Sequence, residues 1–176
     1  MRKIILYIAM SLDGYIADES GGVGWLAGDG SDEKNPGSYP DFIKTVDTVL
    51  MGWNTYRQIV TELSPDSWVY NGKTSYVLTH RHLPPVGDII FTDKSIGLLA
   101  SELKNQEGKD IWICGGFSLV SQMIDNALID RYWISVIPVL LGEGIPLFHE
   151  HGRKNNLKLI SSHSYNGIVD LVYTNR

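Results

Sequence analysis

Hydrophobic residues fall in short, near-continuous runs rich in β-branched and aromatic side chains. Ile4 to Met10, Thr48 to Met51, Ser75 to Thr79 and Ile111 to Cys114 each read as a strand covered on both faces. Asp88 to Phe91 is a weaker run of the same kind. Tyr132 to Leu141 predicts a longer strand, broken or bulged at Pro138. Helical spacing appears between them. Pro40 to Val46 and Asn54 to Val60 predict two short helices. Ile96, Leu99 and Leu103 predict a third, with Asp93 or Ser95 as its cap. Phe117 to Ala127 puts Leu119, Val120, Met123, Ile124 and Ala127 on one helical face.

The pattern then changes. Leu157 to Ile160 and Ile168 to Tyr173 flank Asn166-Gly167, the strongest short hairpin signal, because a type I′ turn needs positive φ at both positions. Alternating β and α followed by an antiparallel end predicts one α/β domain over residues 1–176, built on a mixed sheet. Gly21 to Pro40, with six glycines, two prolines and no period, predicts a long loop. Loops of that length in small domains are mostly functional or mobile.

Composition narrows the function. Fifteen Lys and Arg against 20 Asp and Glu leave a net charge of −5, which argues against a protein that holds nucleic-acid backbone. One cysteine, Cys114, excludes an intrachain disulfide, and no Asn-x-Ser/Thr acceptor is present. Arg2-Lys3 and the run after them imitate a signal peptide, but the run is short and lacks a small-residue cleavage site. A cytoplasmic protein that neither enters nor spans a membrane is the expectation.

Two predicted strand-to-helix junctions carry glycine: Met51-Gly52-Trp53-Asn54-Thr55 and Cys114-Gly115-Gly116-Phe117-Ser118-Leu119. Glycine there lets backbone approach a phosphate, and the helix dipole favours its charge. Two such junctions point to a nucleotide or dinucleotide, although neither is a Walker loop or G-x-G-x-x-G. At a third strand end, Thr79-His80-Arg81-His82 offers cations and a hydroxyl for a phosphate monoester, or forms a solvated basic turn. His80-x-His82 and His149-x-His151 have metal-ligand spacing but lack a third ligand, so no metal is expected.

The order of motifs is informative. Ala9-Met10-Ser11-Leu12-Asp13-Gly14 precedes Trp25, Met51-Gly52-x-x-Thr55-Tyr56, Tyr76 to Thr79 and Cys114-Gly115-Gly116. Pro138-x-Leu-Leu-Gly-x-Gly-x-Pro-Leu-Phe148 follows. Over nearly the whole chain this resembles the dihydrofolate reductase superfamily, in the branch of the C-terminal reductase domain of the bifunctional riboflavin-biosynthesis enzyme. No deaminase part precedes it here, so a stand-alone member is expected. The resemblance implies a three-layer fold with helices on both faces of a mostly parallel sheet, and often a homodimer. It implies NADPH and reduction of a small heterocycle, the nearest reaction being that of 5-amino-6-(5-phosphoribosylamino)uracil. Dihydrofolate reduction and NADP binding without turnover are the alternatives. Pyrophosphate contacts fall at Gly52, Trp53, Asn54 and Thr55 and at Gly115, Gly116, Phe117, Ser118 and Leu119. The 2′-phosphate falls near Thr79, His80 and Arg81, and the nicotinamide near Ala9, Met10 and the Asp13–Trp25 loop. A cis Gly115-Gly116 peptide is implied as well.

The chain departs from these relatives where acids act. Folate reductases carry an acid where this chain has Pro36, Gly37 and Ser38, and an arginine where it has Lys73; riboflavin reductases often carry Glu where it has Cys114. Asp41 is therefore the first choice for proton donor, against a structural role at a helix start. Asp13 is a catalytic candidate or a turn cap, and Trp25 a pocket wall or loop packing. Cys114 reads as a small buried residue.

Overall fold

The computed structural model describes residues 1–150, 152 and 154–176. Its strands are β1 (Ile4–Ser11), β2 (Tyr15–Ala17), β3 (Val46–Gly52), β4 (Thr74–Leu78), β5 (Ile89–Thr92), β6 (Asp110–Gly115), β7 (Arg131–Ile137), β8 (Ile145–Pro146), β9 (Leu157–Tyr165) and β10 (Ile168–Asn175). The helices are α1 (Tyr39–Phe42), α2 (Trp53–Gln58), α3 (Ile96–Lys104) and α4 (Phe117–Asp125); a π turn at Ile59–Leu63 extends α2.

Eight strands form one sheet in the order β5-β4-β3-β6-β1-β7-β10-β9. Pairs from β5 to β7 are parallel, and β10 is antiparallel to both β7 and β9. The hairpin turns at Asn166 (φ 47°) and Gly167 (φ 74°), as the dipeptide predicts. β2 and β8 pair separately.

Alternation along the buried strands feeds two cores. Ile4, Leu6, Ile111 and Ile113 pack with Leu99, Leu103, Val120 and Met123 of α3 and α4. Ile5, Val49, Met51 and Trp112 pack on the other face with Phe42 and Ile59. Phe42 stacks on Tyr7 at 4.3 Å between ring centroids and meets Trp112 and Trp133 edge-on. Such aromatic pairs contribute about 0.5–1.5 kcal/mol beyond their burial.

Several boundaries differ from the sequence reading, among them β9, which runs on to Tyr165, and two have a clear local cause. α1 is a single turn, because β-branched residues from Val46 onward join the sheet as β3. β7 stops at Ile137 rather than Leu141, because Pro138 cannot donate to a ladder. The 21–38 segment crosses to the hairpin turn: Asp29 N–H donates to the Asn166 carbonyl (2.9 Å), and Asp32 N–H donates to its side chain (3.0 Å).

Candidate active site

The carboxyl ends of β1, β3, β4 and β6 open on a cleft of about 1420 Å³. After β3 the chain proceeds outward to β4 and β5; after β6 it proceeds the other way, past β1 to β7. Such a reversal leaves a crevice between the two strand ends, where α/β proteins seat ligands. Gly52 ends β3 and Gly115 ends β6, so both glycine junctions border this crevice.

The junctions touch. A Cβ built on Gly116 would come 3.0 Å from Thr55 Oγ1, whereas one on Gly52 would meet no protein atom within 4 Å. Gly115 has φ +131°, a conformation that favours glycine, and the Gly115-Gly116 peptide is cis. Gly116 is the extended N-cap of α4 and supplies no side-chain cap; the first in-helix bond joins Val120 N–H to its carbonyl at 3.1 Å. The N–H groups of Phe117, Ser118 and Leu119 therefore have no intrahelical partner.

At the end of β4, Arg81 lies over the Trp53 ring, its guanidinium carbon 4.7 Å from the centroid. Its backbone N–H donates to Thr79 Oγ1 at 3.2 Å. Lys94 also lines the cleft but is engaged by Glu102 at 2.6 Å. Arg81 forms no ion pair among the described residues, and neither does Arg57 of α2, which also lines the cleft.

The other end is aromatic. Tyr7, Tyr39, Tyr70, Trp112 and Cys114 line it. Period-2 alternation turns Tyr7 of β1 and Trp112 and Cys114 of β6 to the same side of the sheet. The Tyr70 hydroxyl and Cys114 Sγ are 3.3 Å apart, and the Tyr70 ring meets Trp112 edge-on at 5.0 Å. Burial pushes the Cys114 thiol up to about 11 and raises the phenols of Tyr7, Tyr39 and Tyr70 above their ordinary value. These groups are all neutral at neutral pH. These five side chains offer hydrogen bonds and apolar surface and carry no charge themselves.

Every residue assigned to the cofactor from sequence lines this cleft except Met10: Ala9, Gly52, Trp53, Asn54, Thr55, Thr79, His80, Arg81, Gly115, Gly116, Phe117, Ser118 and Leu119. Met10 packs against the α3–α4 core instead, because its neighbour Ala9 takes the opposite face.

The catalytic candidates lie elsewhere. The Asp41 side chain is 91% exposed and pairs with Lys44 at 2.8 Å. That contact holds its carboxyl below the usual range, so it carries no proton at neutral pH. Asp13 accepts from the Ser11 hydroxyl (2.6 Å) and from Leu141 and Gly142 N–H (3.2 and 2.7 Å), fastening its turn to the loop after β7. Trp25 donates to the Gly22 carbonyl at 3.1 Å within its own loop, and its neighbours Val23 and Leu26 line the cleft in its place.

Sequence reasoning did not find Tyr7, Tyr39 and Tyr70 as cleft residues. Alternation along β1 was the available signal for Tyr7; nothing local marks Tyr39 or Tyr70. Among the described residues no group of three or more His, Cys, Asp or Glu is placed to hold a metal, and His151 lies outside them. No helix among them is long and apolar enough to cross a membrane.

Known proteins resemble this chain in sequence or in fold. The protein YwjB of Bacillus subtilis strain 168 is 39% identical over 175 residues, covering 98% of this chain and 97% of its own. A putative riboflavin biosynthesis protein from Shewanella sp. PV-4 superposes with a TM-score of 0.83 at 28% identity, covering 99% of both chains. Dihydrofolate reductase from Enterococcus faecalis, complexed with NADP(H), superposes with a TM-score of 0.69 at 16% identity, covering 98% of this chain and 96% of its own, a likeness of fold. The model of the RibD C-terminal domain matches residues 2–173, and the chain belongs to that family.

Proposed function

We propose that the protein is an NADPH-dependent reductase of a small heterocyclic acceptor. One observation carries this reading. Two glycine-marked strand ends meet at the sheet's crevice, beside an uncapped helix start and an unpaired arginine.

The residues fit the cofactor. Backbone at Gly52–Thr55 and Gly115–Leu119 holds the pyrophosphate, where the open space over Gly52 leaves room for close approach. Arg81, with Thr79 and His80, holds the 2′-phosphate and favours NADPH over NADH. Ala9 forms the floor towards the nicotinamide. The bound dinucleotide supplies a hydride. The neutral phenols of Tyr39 and Tyr70, with the Cys114 thiol, bind the acceptor by hydrogen bonds, and Trp112 packs the floor beneath it.

The nearest implied reaction is reduction of 5-amino-6-(5-phosphoribosylamino)uracil. Folate is disfavoured by two observations. Asp41 faces solvent, and Lys73, where folate reductases hold the glutamate tail, donates to the Val46 carbonyl at 2.8 Å. Calorimetric titration with NADPH and separately with NADH tests the reading. Micromolar or tighter binding that favours NADPH is expected; no binding of either nucleotide overturns it.

A further inference from the structure

The nearest acceptor implied by the reductase reading carries a phosphate, and a phosphate taken out of water needs a partner. The aromatic end of the cleft offers it no cation. Four basic side chains line the cleft among the described residues: Arg57, His80, Arg81 and Lys94. Three of them follow β4 or β5. His80 and Arg81 are assigned to the 2′-phosphate, and Lys94 is held by Glu102 at 2.6 Å. Arg57 stands apart from these on α2 and forms no ion pair among the described residues. Its own helix gives it no counter-charge, since the residues three and four away are Trp53, Asn54, Val60 and Thr61.

The last turn of α2, which carries Arg57, borders the aromatic end. Ile59 follows it, is 4% exposed and packs in the same core as Phe42 and Trp112. Trp68 links the helix to Tyr70: its ring centroid lies 5.9 Å from that of Tyr56 and 5.4 Å from that of Tyr70. The Gln58 side chain crosses to the opposite wall, where Nε2 donates to the Gly21 carbonyl at 2.8 Å. Gln58 and Gly21 both line the cleft, so this bond bridges its two walls. Arg57 is exposed and adjoins the bridge.

Acidic groups restrict where else a phosphate can settle. Glu62, in the π turn after α2, and Glu19, two residues before Gly21, both line the cleft. Neither forms an ion pair among the described residues. Asp93 lines it beside Lys94. Each wall therefore carries an acid near the bridge, and Arg57 is the one described cation among them.

We propose that Arg57 anchors the phosphate of the acceptor and so selects a phosphorylated substrate over its dephosphorylated form. The inference rests on the reductase reading. The heterocycle lies against the neutral phenols on the inner side of the Gln58–Gly21 bridge. Its sugar phosphate reaches the guanidinium on the outer side, where paired N–H···O bonds hold it. Glu19 and Glu62 sharpen the placement by disfavouring a phosphate elsewhere on the rim.

Calorimetric titration of the NADP⁺-saturated chain tests this without turnover, and the bound nucleotide keeps the Arg81 site filled. The probes are 5-amino-6-(5-phosphoribosylamino)uracil and the same compound without its phosphate. The wild type is expected to bind the first about 30-fold more tightly, the range of a hydrogen bond to a charged group. In Arg57→Ala that ratio should fall to about twofold, with affinity for the dephosphorylated compound retained. Arg57→Lys should keep part of the ratio, as a point charge without the fork. Glu62→Gln should raise it about twofold, the scale of an exposed charge interaction. NADPH affinity should stay within about twofold in all three variants. Equal binding of the two compounds by the wild type, binding of neither, or an unchanged ratio in Arg57→Ala overturns the inference. So does a loss of NADPH affinity of about tenfold in Arg57→Ala, which would assign the guanidinium to the cofactor. A wild type that binds no NADPH defeats the reductase reading instead. The preference for ribose 5-phosphate over ribose, read without nucleotide in Arg81→Ala and in Arg81→Ala/Arg57→Ala, then decides on Arg57.

Discussion

The two ends of the cleft are built on different principles. The end proposed for the nucleotide is backbone: glycines at two strand termini, a bare helix start and one arginine over a tryptophan. The end proposed for the acceptor is side chain: three phenols, an indole and a thiol that burial keeps neutral. Backbone amides recognise phosphate whatever it is attached to, so the first end suits a shared cofactor. A neutral aromatic wall has shape but no fixed charge, so the second can change its acceptor without disturbing the first. Lesions at one end should therefore leave the other intact.

The largest effect is expected from Gly116→Val. A Cβ there is already 3.0 Å from Thr55 Oγ1, and the two added methyls enter the space where the junctions meet. Thr55 can rotate aside, so the domain folds, but the phosphate approach is closed. Calorimetry should show NADPH affinity falling about 100-fold or more, about 2.7 kcal/mol, while the circular dichroism spectrum stays unchanged. Retained affinity would remove the glycine pair from the site.

Cys114 reports on the opposite end. Its thiol is raised from 9.0 to about 11 by burial, against the smaller opposing effect of the Tyr70 hydroxyl. Alkylation by iodoacetamide at pH 8 should run about 100-fold slower than for an open thiol, since the thiolate is the nucleophile. The same shift has a stability sign. The folded state holds this proton more tightly, so its contribution is complete below pH 9 and is lost as pH rises through about 11. Thermal unfolding of wild type and Cys114→Ser should diverge across that window. Ordinary alkylation kinetics would mean an open, wet acceptor end.

Arg81→Ala separates the cofactors. Its guanidinium lies over Trp53 at the end of β4 and is free of an ion pair among the described residues, as is that of Arg57 on α2. NADPH should weaken about tenfold, about 1.4 kcal/mol, with NADH changed by less than twofold. Equal losses for both would assign Arg81 to packing on Trp53 rather than to the 2′-phosphate.

The contrast between the ends also explains what could be read in advance. Gly52, Gly115, Gly116 and the Asn166-Gly167 turn are legible because glycine and turn residues answer to local backbone geometry. The strand runs and α3 and α4 are legible because burial imposes a period on neighbouring residues. The aromatic end obeys no local rule. Tyr7, Tyr39, Tyr70 and Cys114 come from β1, α1, the segment before β4 and β6, and only the strand order brings them together. Asp41 stands out for the opposite reason, since an acid after proline at a helix start is conspicuous in sequence whether or not it reaches a ligand.

Asp41→Asn is therefore the smallest expected effect and the sharpest check on that point. Its carboxyl is exposed, already ionised at neutral pH, and held by Lys44 on the outer surface of α1. An exposed ion pair of this kind contributes about 0–1 kcal/mol. The substitution should move the melting temperature by no more than a few degrees and leave NADPH affinity and turnover within about twofold. A large loss of turnover with intact NADPH binding would mean that α1 rotates Asp41 into the cleft when an acceptor is bound. The acceptor end would then carry a charge, and the division between a backbone-built and a neutral side-chain-built end would fail at its second term.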